Sequence, residues 1–296
     1  MKSIPILGAH VSVAGGLHNA PDIGLACGCD AVQIFARYPT RWETPELAPD
    51  AVERFKRAQA RTGVYAVATH ASYLINLASP SPLLYERSIR AMADEMRRAA
   101  LLGIGNVIVH PGSAMDRDLG GAISRVACAV RDLSGRVHGA DICLETTAGQ
   151  GASVGYRLSH IQEIIDKSGC DGRVFVCLDS CHLHAAGYDI SSAGGFRKFA
   201  NELESLGLSG KVRVVHLNDS RRERGSRVDR HEHIGEGTIG LKGFAHLLNY
   251  TPFREVPFIL ETPKGEDPVK SDAANLKKLR SLAGKRSAGF ISPRTG

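Results

Sequence analysis

No window of the sequence approaches the ~18 consecutive apolar residues of a membrane-spanning helix. The apolar run Ile4–Leu7 is also shorter than the ~7 to 15 residues of a signal-peptide core. A cytoplasmic setting is therefore expected, with no membrane partner. Cysteine offers little: the seven thiols are odd in number and scattered, and Cys27-Gly28-Cys29 has no second pair at zinc-binding spacing. Cys27, Cys128, Cys143 and Cys177 lie in apolar segments and read as reduced core thiols. No linker interrupts the chain. With 43% hydrophobic and 23% charged residues it has little room for long disorder. Charge of one sign is only modestly in excess, at +6, which is the direction expected of a chain that meets a polyanion.

What is abundant is histidine, with twelve residues, and imidazole is the commonest metal ligand. Short β-branched runs alternate with amphipathic segments from end to end. Strands are expected at Ile4–Gly8, Ala31–Phe35, Val64–Thr69, Asn106–Val109, Ile142–Glu145, Val174–Asp179, Val212–Leu217 and Pro257–Glu261. Helical patterns fall near Ala51–Arg61, Leu83–Leu102, Gly121–Leu133, Ser159–Lys167, Gly195–Leu206, Leu241–Asn249 and Pro268–Leu282. This repetition predicts an α/β fold, a single (β/α)8 TIM barrel over residues 1–284, followed by a basic, flexible tail at 285–296.

The strand ends carry the chemistry. The third to eighth candidate strands end at or beside His70, His110, Glu145, Asp179, His216 and Glu261. In a barrel these positions converge on the C-terminal face. A lone His or Glu after an apolar run is usually a satisfied core or capping group; six in succession point to a shared site. Carboxylates and imidazoles crowded together need divalent cations to hold them, and this donor set selects zinc or manganese over magnesium. Two ions bridged by a carboxylate is the usual hydrolytic arrangement. In VCLDSCHLHAAGYD, His182 follows Asp179, and the long loop after the seventh strand contains Asp229-Arg230-His231; these three could hold a third ion. His184 and His233 have no assigned partner and read as surface or supporting groups. The same loop carries Arg221, Arg222, Arg224, Arg227 and Arg230, which favours phosphate contact.

At this point the chain resembles the endonuclease IV family of apurinic/apyrimidinic endonucleases. The resemblance runs from GAHVS at 8–12 to ETP at 261–263. Its specific blocks are HASYLINLASP at 70–80, VHPGS at 109–113, LETTAGQG at 144–151, LDSCHLHAAGYD at 178–189, HLNDS at 216–220 and GSRVDRHEHIGEG at 225–237. It implies a (β/α)8 barrel with three zinc ions. His70, His110 and Glu145 would hold one; Glu145, Asp179, His216 and Glu261 the second, bridged by Glu145; and His182, Asp229 and His231 the third. It further implies cleavage of duplex DNA 5′ to an abasic site, leaving a 3′-hydroxyl in base excision repair, with no protein nucleophile. Glu145 and Glu261 would be catalytic, Glu261 orienting or deprotonating the attacking water. Tyr73 and Leu74 match positions that insert into the bent duplex. The loop Phe35-Ala36-Arg37-Tyr38-Pro39-Thr40-Arg41-Trp42 departs from the family pattern, because Thr40 stands where the family inserts an arginine; Arg37 or Arg41 is expected to substitute. Thr146 likewise replaces the usual asparagine beside Glu145.

Two rival readings remain. Sugar isomerases and epimerases of the same barrel superfamily use one or two divalent ions at strand ends, but lack the Asp-x-His loop and have less reason for an arginine-rich rim. A non-enzymatic barrel would not need nine intact ligands. A monomer is expected, since no long exposed apolar stripe is present.

Overall fold

The computed structural model describes residues 5–284; the expected tail at 285–296 lies outside them. Eight parallel strands close a barrel in chain order: β1 (Leu7–His10), β2 (Ala31–Ile34), β3 (Tyr65–His70), β4 (Asn106–Val109), β5 (Asp141–Glu145), β6 (Val174–Asp179), β7 (Val212–His216) and β10 (Phe258–Leu260), the last pairing back onto β1. The long loop after β7 contains a small antiparallel hairpin, β8 (Asp219–Ser220) with β9 (His231–Glu232). Around the barrel run α1 (Asn19–Cys27), α2 (Pro49–Thr62), α3 (Pro82–Leu102), α4 (Leu119–Arg136), α5 (Leu158–Ser168), α7 (Ala193–Ser205), α8 (Gly240–Leu248) and α9 (Pro268–Leu282), with the short α6 (Ser180–Ala186) straight after β6. Among the described residues no helix is long and apolar enough to cross a membrane.

Local chemistry sets the boundaries. Pro82 opens α3, where a missing N–H costs nothing, and Gly103 ends it at φ 76°. Asp118, Ser192 and Asp267 cap α4, α7 and α9 by accepting backbone N–H groups of Gly121, Gly195 and Lys270. The helices bury Phe55, Met92, Met96, Phe196, Phe199 and Phe244 against the outside of the barrel, each contributing about 1.5–3 kcal/mol. α1 was not legible from periodicity, because Pro21, Gly24 and short side chains blur its apolar face; Gly24 is required there, since a Cβ would come 2.5 Å from Val32. Cys128, expected in the core, is exposed.

Strand alternation builds a floor and a ring. Side chains two residues apart on a strand share a face. Ala68, Ile108, Cys143, Phe175, Cys177, Val214 and Ile259 pack together inside the barrel. Two residues beyond Ala68, Ile108, Cys143, Cys177, Val214 and Ile259 stand His70, His110, Glu145, Asp179, His216 and Glu261. β1 and β2 follow the same rule with Gly8 below His10 and Ala31 below Gln33. Gly8 has no alternative: a Cβ would sit 1.9 Å from the Ala31 carbonyl oxygen. The strand expected at Ile4–Gly8 thus continues to His10, and all eight strands, not six, deliver a polar group to the mouth.

Candidate metal centre

Glu145 is fully buried at the end of β5 and uses both carboxylate oxygens. Oε2 lies 3.1 Å from His70 Nε2 and 2.9 Å from His110 Nε2, while Oε1 lies 2.9 Å from His216 Nδ1. His216 Nδ1 is also 3.2 Å from Glu261 Oε2 and 3.8 Å from Asp179 Oδ2. Asp229, brought in by the hairpin loop, places Oδ2 3.1 Å from His182 Nε2 and Oδ1 3.2 Å from His231 Nε2. Three groups of imidazoles and carboxylates result, each with ligand atoms within 4.8 Å of one another: His70, His110 and Glu145; Glu145, Asp179, His216 and Glu261; and His182, Asp229 and His231. All nine residues read from the sequence meet here, and Glu145 is common to two groups.

The ring nitrogens test whether cations fit. His70 Nδ1 lies 2.9 Å from the Ala71 carbonyl, His182 Nδ1 2.8 Å from that of Thr146, and His231 Nδ1 3.0 Å from that of Glu261. His216 Nε2 lies 2.9 Å from Gln33 Oε1. A carbonyl only accepts, so each ring donates there and turns its other nitrogen toward carboxylates. Lone pairs facing carboxylates repel unless a proton or a metal ion lies between them. Cys177 borders the Glu145–His216 group and Cys181 borders Asp179 and His231, but burial pushes the Cys177 thiol well above the usual range and the Cys181 thiol up to about 12, which favours nitrogen and oxygen donors. That set fits zinc or manganese.

Without metal, protons take the cations' place. Burial opposes charge on His70 and His231, yet Glu145 beside the first, and Asp179 and Asp229 beside the second, raise both to about 9. Burial likewise opposes ionisation of Glu145, and His110 and His216 overcome it, holding it well below the usual carboxylate range. The sign follows. Below about pH 9 the metal-free protein carries protons on His70 and His231 that a metal must expel, and against burial Asp179 and Asp229 raise His182 well above its ordinary value too, so metal affinity should rise with pH from 6 to 9. Each displaced proton contributes about a tenfold change per pH unit. Zinc titrations into stripped protein between pH 6 and 9 check this, and pH-independent affinity would contradict it.

Two ring members escaped the sequence reading. Gln33 is fully buried on β2. Glu261 Oε1, a pure acceptor, lies 2.7 Å from one end of its amide, which must therefore be nitrogen. The oxygen then takes the His216 N–H, so one amide orients two ligands. The same nitrogen is 2.9 Å from His10 Nδ1, on β1, which in turn stands 3.3 Å from Glu261. Burial keeps the His10 pKa below its ordinary value. His10 lay two residues past the expected end of its strand, and glutamine is not a metal-type residue. Gln33→Leu should leave the fold intact and weaken the Glu145–Asp179–His216–Glu261 group for metal about 10- to 100-fold, as read by chelator competition. Asn218 plays a parallel part, donating to Asp179 Oδ2 at 2.6 Å and accepting from the Glu261 backbone at 2.7 Å. Thr146, replacing an asparagine in the resemblance, accepts the Asp179 N–H at 3.0 Å.

The rim residues divide. Tyr73 is 66% exposed beside His70, with Leu74 half-buried next to it. Its backbone N–H and the Ser72 hydroxyl both reach the Pro39 carbonyl, at 3.1 and 2.8 Å, tying the loops after β2 and β3 together. Arg37 does not stand free at this rim. It is buried, with Nε 2.8 Å from Asp94 and Nη2 donating to the Trp42 carbonyl at 2.7 Å, so it braces the loop. Arg41 is exposed, its guanidinium 5.4 Å from the Tyr38 ring centre. Arg227 and Arg230 are exposed too. His184, read as surface or supporting, is buried: Nε2 lies 3.0 Å from Thr238 Oγ1 and its carbonyl takes the Gly225 N–H, pinning the loop. His233 Nδ1 accepts from Asn275 at 3.0 Å.

The family model described as a xylose isomerase-like TIM barrel matches residues 22–279. A Geobacter sp. (strain M21) protein named "Probable endonuclease 4" is 43% identical over 280 residues, covering 94% of this chain and 98% of that protein. A Chloroflexus aurantiacus protein of the same name is 42% identical over 281 residues, again covering 94% and 98%. The crystal structure of endonuclease IV from Thermus thermophilus superposes with a TM-score of 0.81 at 37% identity, covering 94% of this chain and 98% of that one. A 3-keto-D-glucoside 4-epimerase from E. coli, 15% identical with a TM-score of 0.68, shares the fold. With the strand-end imidazoles and carboxylates and the Asp-x-His loop in place, the chain belongs to the endonuclease IV family, within the xylose isomerase-like TIM barrels.

Proposed function

We propose that the protein is a zinc-dependent endonuclease that hydrolyses the phosphodiester 5′ to an abasic site in duplex DNA and leaves a 3′-hydroxyl. The observation that carries this reading is Asp229, which joins His182 and His231 beside a Glu145 shared by two further ligand groups. Sugar chemistry that runs on one or two ions has no use for a third group built from a loop. The nine side chains would hold three zinc ions, with manganese able to replace some. When bound, such cations neutralise charge on the phosphoryl oxygens and acidify water. Glu261, oriented by Gln33, positions the attacking water and takes its proton. Tyr73 and Leu74 enter the helix at the lesion, and Arg41 stands nearest the place left by Thr40. Arg227 and Arg230 meet backbone phosphates. Every ligand comes from one chain, so a monomer suffices. The test is a duplex with a single tetrahydrofuran abasic analogue. A nick on its 5′ side with a 3′-hydroxyl end is expected, and intact duplex at micromolar enzyme would refute the reading.

A further inference from the structure

Among the arginines of the loop after β7, some are spent within the protein. Arg221 pairs with Glu232 and Arg224 with Asp189, each at 2.8 Å. Arg227 is different. Its guanidinium lies 5.1 Å from the centre of the Tyr156 ring, and Arg157, from the loop after β5, lies 5.7 Å from the same ring. Among the described residues neither guanidinium lies within 4.0 Å of a carboxylate. Each cation is attracted to the ring face but has no carboxylate to neutralise it, so an anion reaching this ring meets two guanidiniums that need not give up a partner.

The backbone is bent to produce it. Arg227 takes φ 55°, a left-handed conformation that costs a side-chain-bearing residue about 1 kcal/mol or more. The turn is held there by its own N–H on the Ala185 carbonyl at 2.9 Å and by the Gly225 N–H on the His184 carbonyl at 3.0 Å. The α6 backbone at His184 and Ala185 thus anchors the turn that aims Arg227. Arg227 lies two residues before Asp229, so the turn that carries it leads directly into the loop segment of the candidate metal centre. In the barrel order, β6, between β5 and β7, stands opposite β2. Arg157 and Arg227 therefore lie across the mouth from Tyr38 and Arg41.

We infer that Arg157 and Arg227, spaced by Tyr156, clamp a backbone phosphate of the DNA on the side of the mouth opposite Tyr38 and Arg41. The inference rests on the reading of DNA as substrate and adds Tyr156 and Arg157 to its contacts. A neutral sugar ligand would leave the two charges uncompensated.

The test is binding of a labelled, lesion-free duplex to the metal-loaded protein across a salt series. Losing one phosphate contact flattens the slope of log affinity against log salt by about 0.9. Arg157→Ser, outside the ligand loop, should show that loss alone, and Arg157→Ser with Arg227→Ser should flatten the slope at least as much. On abasic duplex Arg157→Ser should raise KM and leave kcat within about twofold. An unchanged slope in both variants overturns the clamp. Nicking of abasic duplex by the unmodified protein reads the other claim separately: flattened slopes without nicking would sink cleavage and keep the clamp, whereas nicking with unchanged slopes would sink the clamp alone.

Discussion

Glu145→Gln is expected to lower turnover on abasic duplex by about a thousandfold or more while leaving the barrel folded. Glu145 is the carboxylate shared by two ligand groups, one oxygen serving His70 and His110 and the other His216. An amide keeps the shape but removes the charge that holds these imidazoles, and its NH2 end faces nitrogens that are themselves meant to face a cation. Loss of the first two groups removes charge stabilisation worth several kcal/mol in the transition state, and each 1.36 kcal/mol is tenfold in rate. Steady-state kinetics with metal content measured on the same sample check it. Turnover within tenfold of the unmodified protein would show that Glu145 is not central.

Metal removal should affect the whole molecule as well as the rate. The four carboxylates and five imidazoles of the three groups stand on or directly after β3, β4, β5, β6, β7 and β10, on α6 and in the hairpin loop, so cations bound there tie most of the barrel mouth together. A ligand that binds only the folded state stabilises it by about 4 kcal/mol at a thousand times its Kd. A domain of this size shifts its midpoint roughly 2–4 °C per kcal/mol. Stripping with a strong chelator should therefore lower Tm by about 10 °C or more, and added zinc should restore it. Thermal unfolding followed by circular dichroism reads both. A midpoint indifferent to chelator would mean that the cluster stands on protons and hydrogen bonds alone.

Most of the site was legible because one rule exposed it: a metal-type side chain at the end of each apolar run. The rule picked out His70, His110, Glu145, Asp179, His216 and Glu261, which the fold brings together because the run and the strand end together. It failed on β1, where the apolar run stops before the strand does, since Gly8 and Ala9 carry no periodic signal and yet pair with β2 and β10. It also passed over Gln33, whose contribution is a pair of hydrogen bonds visible only once β2 is set near β7 and β10. Arg37 was misjudged for a related reason: a charge in a loop looks free in sequence, and its partner Asp94 lies on a helix far along the chain. The loop after β7 was expected to bring Asp229 and His231 to His182, and it does place the three together, while its hairpin is too short, at two residues per strand, to leave a pattern.

The central claim is that nine side chains at one mouth of the barrel hold a cluster of divalent cations. Elemental analysis of the purified, undialysed chain tests it most directly. Close to three zinc or manganese ions per chain is the predicted result; a single ion per chain would contradict the cluster and move the protein toward the sugar-isomerising members of its fold.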